Sequence, residues 1–245
     1  MLFAEPDARD RFAWLTGRPF AHRGLHGGAG IENSRSAFIA AIAAGYGIEL
    51  DVRLSRDGIA VVCHDAELAR LTGATGALRG LTASQLGRTR LTGSHDPIEP
   101  LAKILKAIAG RVPVLVELKT DGDAGGVARL CLSVRHALEG YRGNAAVMSF
   151  DAQVGQWFAH HAPRIARGLV VSDEDGRGFT NSLRRLLILR RARPHFLAYD
   201  IRSLPSRLAA RSRRRGLPVL AWTVRTPEQH RHAGIHADQI IFENG

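Results

Sequence analysis

Eight short apolar runs, at 19–22, 47–54, 112–118, 145–150, 168–171, 196–201, 218–224 and 239–242, recur along this 245-residue chain with helical segments between them. Runs of this kind alternating with helical periods describe successive β/α units, whose parallel strands need cover on both faces. Eight units is the number at which such a sheet closes on itself. The sequence therefore predicts an α/β fold, a single (β/α)8 TIM barrel, with residues 1–245 as one domain.

The segments between the runs carry helix ends. Asn33 or Ser34 caps a helix holding Phe38 and Ile42, with Gly45 as its stop. Apolar stripes of Leu101, Ile104, Leu105 and Ile108, and of Val127, Leu130, Val134 and Leu138, close at Gly110 and Gly140. Asp151 and Thr180 read as N-caps, and Thr226-Pro227-Glu228-Gln229 joins a capping box to proline at the first helical position. Residues 66–97 break the alternation, being rich in Gly and Thr without a sustained period. They are expected to form a small excursion after the second barrel strand, on the face where barrel enzymes build sites from loops.

The net charge of +11 rests on arginine, with one cluster at Arg184, Arg185, Arg190, Arg191 and Arg193 and another at Arg211, Arg213, Arg214 and Arg215. Both clusters fall on predicted outer helices without interleaved aromatics, so they read as solvated faces and not as a specific nucleic-acid surface. Cys63 and Cys131 sit in apolar segments, as buried reduced thiols do. No apolar run approaches the roughly 20 residues of a membrane-spanning helix. Residues 1–18, with Glu5, Asp7 and Asp10, lack the pattern of a secretory signal, and a cytoplasmic location is the expectation.

Chemistry concentrates in the first half. Ala21-His22-Arg23-Gly24 ends the first run, Glu49-Leu50-Asp51 places two carboxylates on alternate positions, Val61-Val62-Cys63-His64-Asp65 brings a second histidine, and Glu117-Leu118-Lys119 repeats the i,i+2 spacing. Strand side chains repeat every second residue, so each of these pairs shares a face. Three carboxylates suit Mg2+ or Ca2+, which prefer oxygen ligands. His22 and His64 offer a proton donor and acceptor near neutral pH. Arg23 and Lys119 would hold a phosphate, one by a bidentate fork and one as a point charge. A purely structural ion pair such as Glu117 with Lys119 accounts for any one of these pairs alone; their joint occurrence with two strand-end histidines points to chemistry. His160, His161, His230, His232 and His236 lack matched carboxylates and read as surface residues, and Gly27, Gly28 and Gly30 make no dinucleotide fingerprint.

His22-Arg23-Gly24, Glu32-Asn33-Ser34, Ile48-Glu49-Leu50-Asp51-Val52, Asp57-Gly58, His64-Asp65 and Glu117-Leu118-Lys119 together closely resemble the glycerophosphodiester phosphodiesterase family, and Ala221-Trp222-Thr223-Val224 is similar to one of its later strands. The resemblance implies a barrel enzyme that hydrolyses small glycerophosphodiesters to glycerol 3-phosphate and an alcohol. It implies Glu49, Asp51 and Glu117 as ligands of one divalent cation, and His22 and His64 as acid and base. Arg23, Lys119, Glu32 and Trp222 match positions near the substrate. Alternatives on the same fold are a lysophospholipase D or a phosphodiesterase that stops at a cyclic product; a nucleic-acid-binding role rests on charge alone. Residues 66–97 lack the aromatic pair many members carry before the segment that is Pro97-Ile98-Glu99-Pro100-Leu101 here. Arg225 replaces an asparagine and Phe242-Glu243 a Thr-Asp, departures that bear on head-group selection.

Overall fold

The structure, a computed structural model, describes residues 11–28, 30–172 and 179–244, with 179–185 described by backbone alone. Its elements in chain order are β1 (Phe20–Ala21), α1 (Arg35–Ala43), β2 (Gly47–Leu54), β3 (Ala60–Val62), α2 (Ala69–Thr72), α3 (Ala83–Leu86), α4 (Leu101–Ile108), β4 (Val114–Leu118) and α5 (Ala124–Leu138). Then come β5 (Ala145–Ser149), α6 (Ala152–His161), β6 (Ala166–Val171), α7 (Phe179–Ala192), β7 (Phe196–Asp200), α8 (Arg207–Arg214), β8 (Val219–Val224), α9 (Pro227–His236) and β9 (Gln239–Phe242). The strand order is β1-β9-β8-β7-β6-β5-β4-β2-β3, and β1 also pairs with β2. The ring is closed, and it is the expected (β/α)8 barrel. The short β3 stands outside it as an antiparallel addition to β2, with Val52 opposite Val62 and Leu54 opposite Ala60.

The chain divides into two units, one of Ala21–Ala145 and one of the residues up to Phe20 with Ala146–Glu243. In the first, β2 is buried on both faces: Ile48, Leu50 and Val52 are apolar and fully covered, and so are Glu49 and Asp51. Covering an alternate polar face is unusual for a strand and signals a site rather than a core. Pairing with β4 is parallel and sets Asp51 opposite Glu117. Ser34, not Asn33, caps α1 by accepting from the Ala37 N–H at 3.2 Å, while Ala37, Phe38 and Ala41 face inward. Leu101, Ile104, Leu105 and Ile108 of α4 are all buried, as their spacing predicts.

The excursion at 66–97 is better built than its sequence suggests. It holds α2, a 3-10 turn at Leu78–Gly80 and α3, and it buries Leu68, Leu71, Leu78, Leu86 and Leu91 against Val61, Cys63 and Ile98. Four-residue helices are too short to show a period, so the apolar residues look scattered until the chain folds back.

In the second unit Phe196, Leu197, Ala198 and Tyr199 of β7 and Val219, Leu220 and Ala221 of β8 are fully covered. Asp151 caps α6, and Thr226 with Gln229 forms a capping box beside Pro227 at the start of α9. The side chains of Thr180, Arg184 and Arg185, and residues 1–10 altogether, lie outside what the structure describes. Cys63 and Cys131 are buried and form no disulfide. Among the described residues no helix is long and apolar enough to cross a membrane.

Candidate active site

After β1 the backbone enters the left-handed region at Arg23 (φ 56°) and Gly24 (φ 82°). A Cβ on Gly24 would stand 2.9 Å from both Ala37 Cβ and Phe38 Cδ1, so the turn closes on α1 only with glycine. This geometry aims the Arg23 backbone N–H at Glu49 Oε2, 2.9 Å away, and leaves His22 Nε2 4.0 Å from the same oxygen.

Glu49, Asp51 and Glu117 are buried, and each offers one oxygen within 4.8 Å of the others. Lys119 Nζ donates to Glu117 Oε1 at 2.6 Å and comes within 3.1 Å of Asp51 Oδ1. The ion pair that alone would have explained Glu117 and Lys119 is thus present, inside a larger cluster. It does not satisfy the group: Glu49 Oε1 is buried without a hydrogen-bond partner, and Asp51 Oδ1 has the Lys119 ammonium beside it but out of hydrogen-bond alignment. Burial, with the charges of Asp51 and Glu117, drives the Glu49 pKa far above the usual carboxylate range. Burial likewise lifts Glu117 to about 7 against the pull of Lys119. Asp51 is shifted down, since Lys119 and Arg23 outweigh the burial that would raise it. Three clustered carboxylates, one with an orphaned oxygen, and too little positive charge fit a hard divalent cation.

Arg23 and Glu32 are joined at 2.8 Å, and Arg23 Nε lies 3.3 Å from Asp51 Oδ2. Arg70, on α2, donates from Nη1 and Nη2 to both Glu32 oxygens at 2.9 and 2.7 Å, and from Nε to Asp65 Oδ2. Asp65 Oδ1 in turn lies 2.7 Å from His64 Nδ1. Burial lowers the His64 pKa despite Asp51 and Asp65; the Asp65 carboxyl, which burial alone would raise, is held at about 2 by Arg70 and His64.

With this geometry in hand the comparison with known proteins is direct. The sequence pattern of the glycerophosphoryl diester phosphodiesterase family matches residues 22–244. The chain belongs to this family. It is a phosphodiesterase. It is 26% identical over 211 residues to YhdW of Bacillus subtilis (strain 168), a match covering 83% of this chain and 84% of that one. The solved glycerophosphodiester phosphodiesterase from Thermotoga maritima shares 26% identity and a TM-score of 0.73 over 91% of this chain and 92% of that one. An Oleispira antarctica phosphodiesterase, solved in complex with the product sn-glycerol-3-phosphate, has the same fold, with a TM-score of 0.77 and 21% identity over 94% of each chain.

Within this family member, eight of the nine residues singled out from sequence fall in the first unit, and Trp222 falls in the second. There its Nε1–H donates to the Ala198 carbonyl at 3.0 Å, and its ring meets Phe150 edge-on at 5.6 Å between centroids. Three contributors were missed. Asn33, weighed only as a cap, hydrogen-bonds Asp51 twice. Asp65, quoted only as the neighbour of His64, meets that ring, and Arg70 joins the pair to Glu32 across 38 positions, a separation no local spacing reveals. Signals were available in the adjacency of His64 and Asp65 and in Asn33 itself, because asparagine tolerates the left-handed backbone (φ 56°) found there.

Proposed function

We propose that this phosphodiesterase hydrolyses glycerophosphodiesters to glycerol 3-phosphate and an alcohol, with Mg2+ or Ca2+ held by Glu49, Asp51 and Glu117 and with His22 and His64 as acid and base. The observation carrying this reading is the convergence of three buried carboxylates within 4.8 Å, one with an orphaned oxygen, on a histidine 4.0 Å from Glu49. A bound divalent cation supplies the positive charge that a phosphodiester needs to accept a nucleophile. The chain's own groups do the rest.

Arg23 and Lys119 neutralise the phosphate from one side, and Glu32 fixes the direction of the Arg23 fork. The Asp65 carboxylate takes the Nδ1–H of His64, which assigns the tautomer and leaves Nε2 with a free lone pair. Its lowered pKa keeps that ring neutral near pH 7, which suits a base. His22, beside Glu49, then gives its proton to the leaving alkoxide. Trp222, on the family's Trp-Thr-Val segment, is the remaining substrate-binding candidate.

The test uses two diesters. His22→Ala and His64→Ala are each expected to slow the natural diester by at least about a hundredfold. With a nitrophenyl ester, whose leaving group needs no proton, His22→Ala should regain most of its rate and His64→Ala should not. Natural-diester turnover unchanged in both variants overturns the two-histidine assignment.

A further inference from the structure

A cavity of about 460 Å³ opens beside the carboxylate cluster, between the ends of β2 and β4, the excursion and α5, and it shares Lys119 with the cluster. Its size is that of a small-molecule site. Nothing in the mechanism above uses it. Besides Lys119 its wall carries four arginines: Arg53, Arg56, Arg79 and Arg129.

The acidic residues of the same wall are largely committed elsewhere. Asp121 pairs with Arg53 at 3.1 Å, and Asp123 caps α5 through the Gly126 N–H at 2.9 Å. Asp57, next in chain to Arg56, is already held by the Ser55 hydroxyl at 2.7 Å and the Ala83 N–H at 2.8 Å. These bonds orient the carboxylates without removing their charge, and on the wall Glu67, Asp121 and Asp123 stand against Arg53, Arg56, Arg79, Arg129 and Lys119, an excess of positive charge. Among the described residues, neither Arg79 nor Arg129 has a carboxylate within ion-pair distance. The field in the cavity is positive, and cavity walls focus it.

We infer that this cavity receives the alcohol portion of the diester and selects alcohols bearing a further anionic group, a phosphate or a carboxylate, over a quaternary ammonium. The inference rests on the proposed diesterase reading. Glycerol, common to the whole substrate class, is uncharged and gives the arginines of the wall nothing to bind; the variable alcohol does. A trimethylammonium group is recognised by aromatic faces, and none of the described residues lining the cavity is aromatic. Arginine forks, by contrast, match phosphate and carboxylate oxygens.

The deciding experiment compares kcat/KM for glycerophosphocholine with that for a glycerophosphodiester whose alcohol carries a phosphomonoester, in the wild type and in Arg56→Ala/Arg79→Ala/Arg129→Ala. Three exposed charge contacts of ordinary strength amount to about tenfold in favour of the anionic diester. The preference should shrink in about 1 M salt, where charges screen over about 3 Å. In the triple variant the two values should converge, the anionic diester falling and the choline ester, no longer repelled, holding or rising, with an unchanged circular-dichroism spectrum and melting temperature certifying the fold. Equal or better use of the choline ester by the wild type, or a preference that survives the triple substitution, overturns the inference. Calorimetric binding of a bisphosphorylated glycerol forms a second arm, independent of turnover. Binding lost in the triple variant supports an anion-selective cavity even if no diester is hydrolysed, a result that would defeat the proposed function alone; no binding by the wild type overturns the cavity's selectivity.

Discussion

Asn33 grips Asp51 at both ends: its Nδ2 donates to Asp51 Oδ2 at 2.9 Å, and its Oδ1 accepts the Asp51 backbone N–H at 3.0 Å. Both residues are buried, so the side chain that points a central carboxylate oxygen is itself fixed by the strand carrying that carboxylate. Removing such an outer partner typically costs between about tenfold and a hundredfold in metal affinity or activity. Asn33→Ala is therefore expected to weaken cation binding by about that factor, read by calorimetry. Cation affinity unchanged in a folded Asn33→Ala protein would show that Asp51 needs no such support.

Arg70 reaches from the excursion to both Asp65 and Glu32, and so ties His64 to Arg23. Arg70→Met should lower kcat by about tenfold or more. Loss of its positive charge leaves Asp65 a freer anion beside His64 and raises the imidazole pKa, so the acidic limb of the pH–rate profile should move to higher pH. Arg70→Lys should return part of both. A drop in stability without any movement of the acidic limb would make Arg70 a purely structural tie.

Much of the site was legible because its residues sit on strand ends, where period two makes neighbours of Glu49 and Asp51 and parallel register brings Glu117 opposite Asp51. What escaped the sequence lies across longer separations. Arg70 and Glu32 are 38 positions apart and meet only because the excursion packs its leucines inward. Asn33 and Ser34 were equally good caps by residue type; the fold chose Ser34, and the left-handed backbone at Asn33 turned its amide to Asp51. Likewise, the basic cavity draws its arginines from β2, the hairpin loop, the excursion and α5, so no single run of sequence displays it.

His195 supplies a stability test in the second unit. It lies on Phe12 at 4.7 Å between ring centroids, and its Nδ1 accepts the Arg167 backbone N–H at 3.3 Å, which requires that nitrogen unprotonated. Burial, with Arg167 and Arg11 nearby, pushes its pKa down to about 3. The unfolded chain, with an ordinary histidine pKa near about 6.5, takes up the proton first as pH falls. This contribution is thus complete above about pH 6.5 and is lost progressively towards about pH 3. Denaturant unfolding should show stability falling through that window, with a flatter dependence in His195→Gln. Identical pH dependence in the two proteins would contradict a neutral ring at this position.

The central claim is that Glu49, Asp51 and Glu117 hold a divalent cation that hydrolysis of a glycerophosphodiester requires. Its direct measurement is release of glycerol 3-phosphate from glycerophosphoethanolamine by protein stripped with a chelator and verified metal-free, followed by titration with Mg2+ or Ca2+. Stripped protein should be inactive, added cation should restore turnover saturably, and Asp51→Asn should abolish turnover and calorimetric cation binding together. Full turnover by the verified metal-free protein would contradict the account.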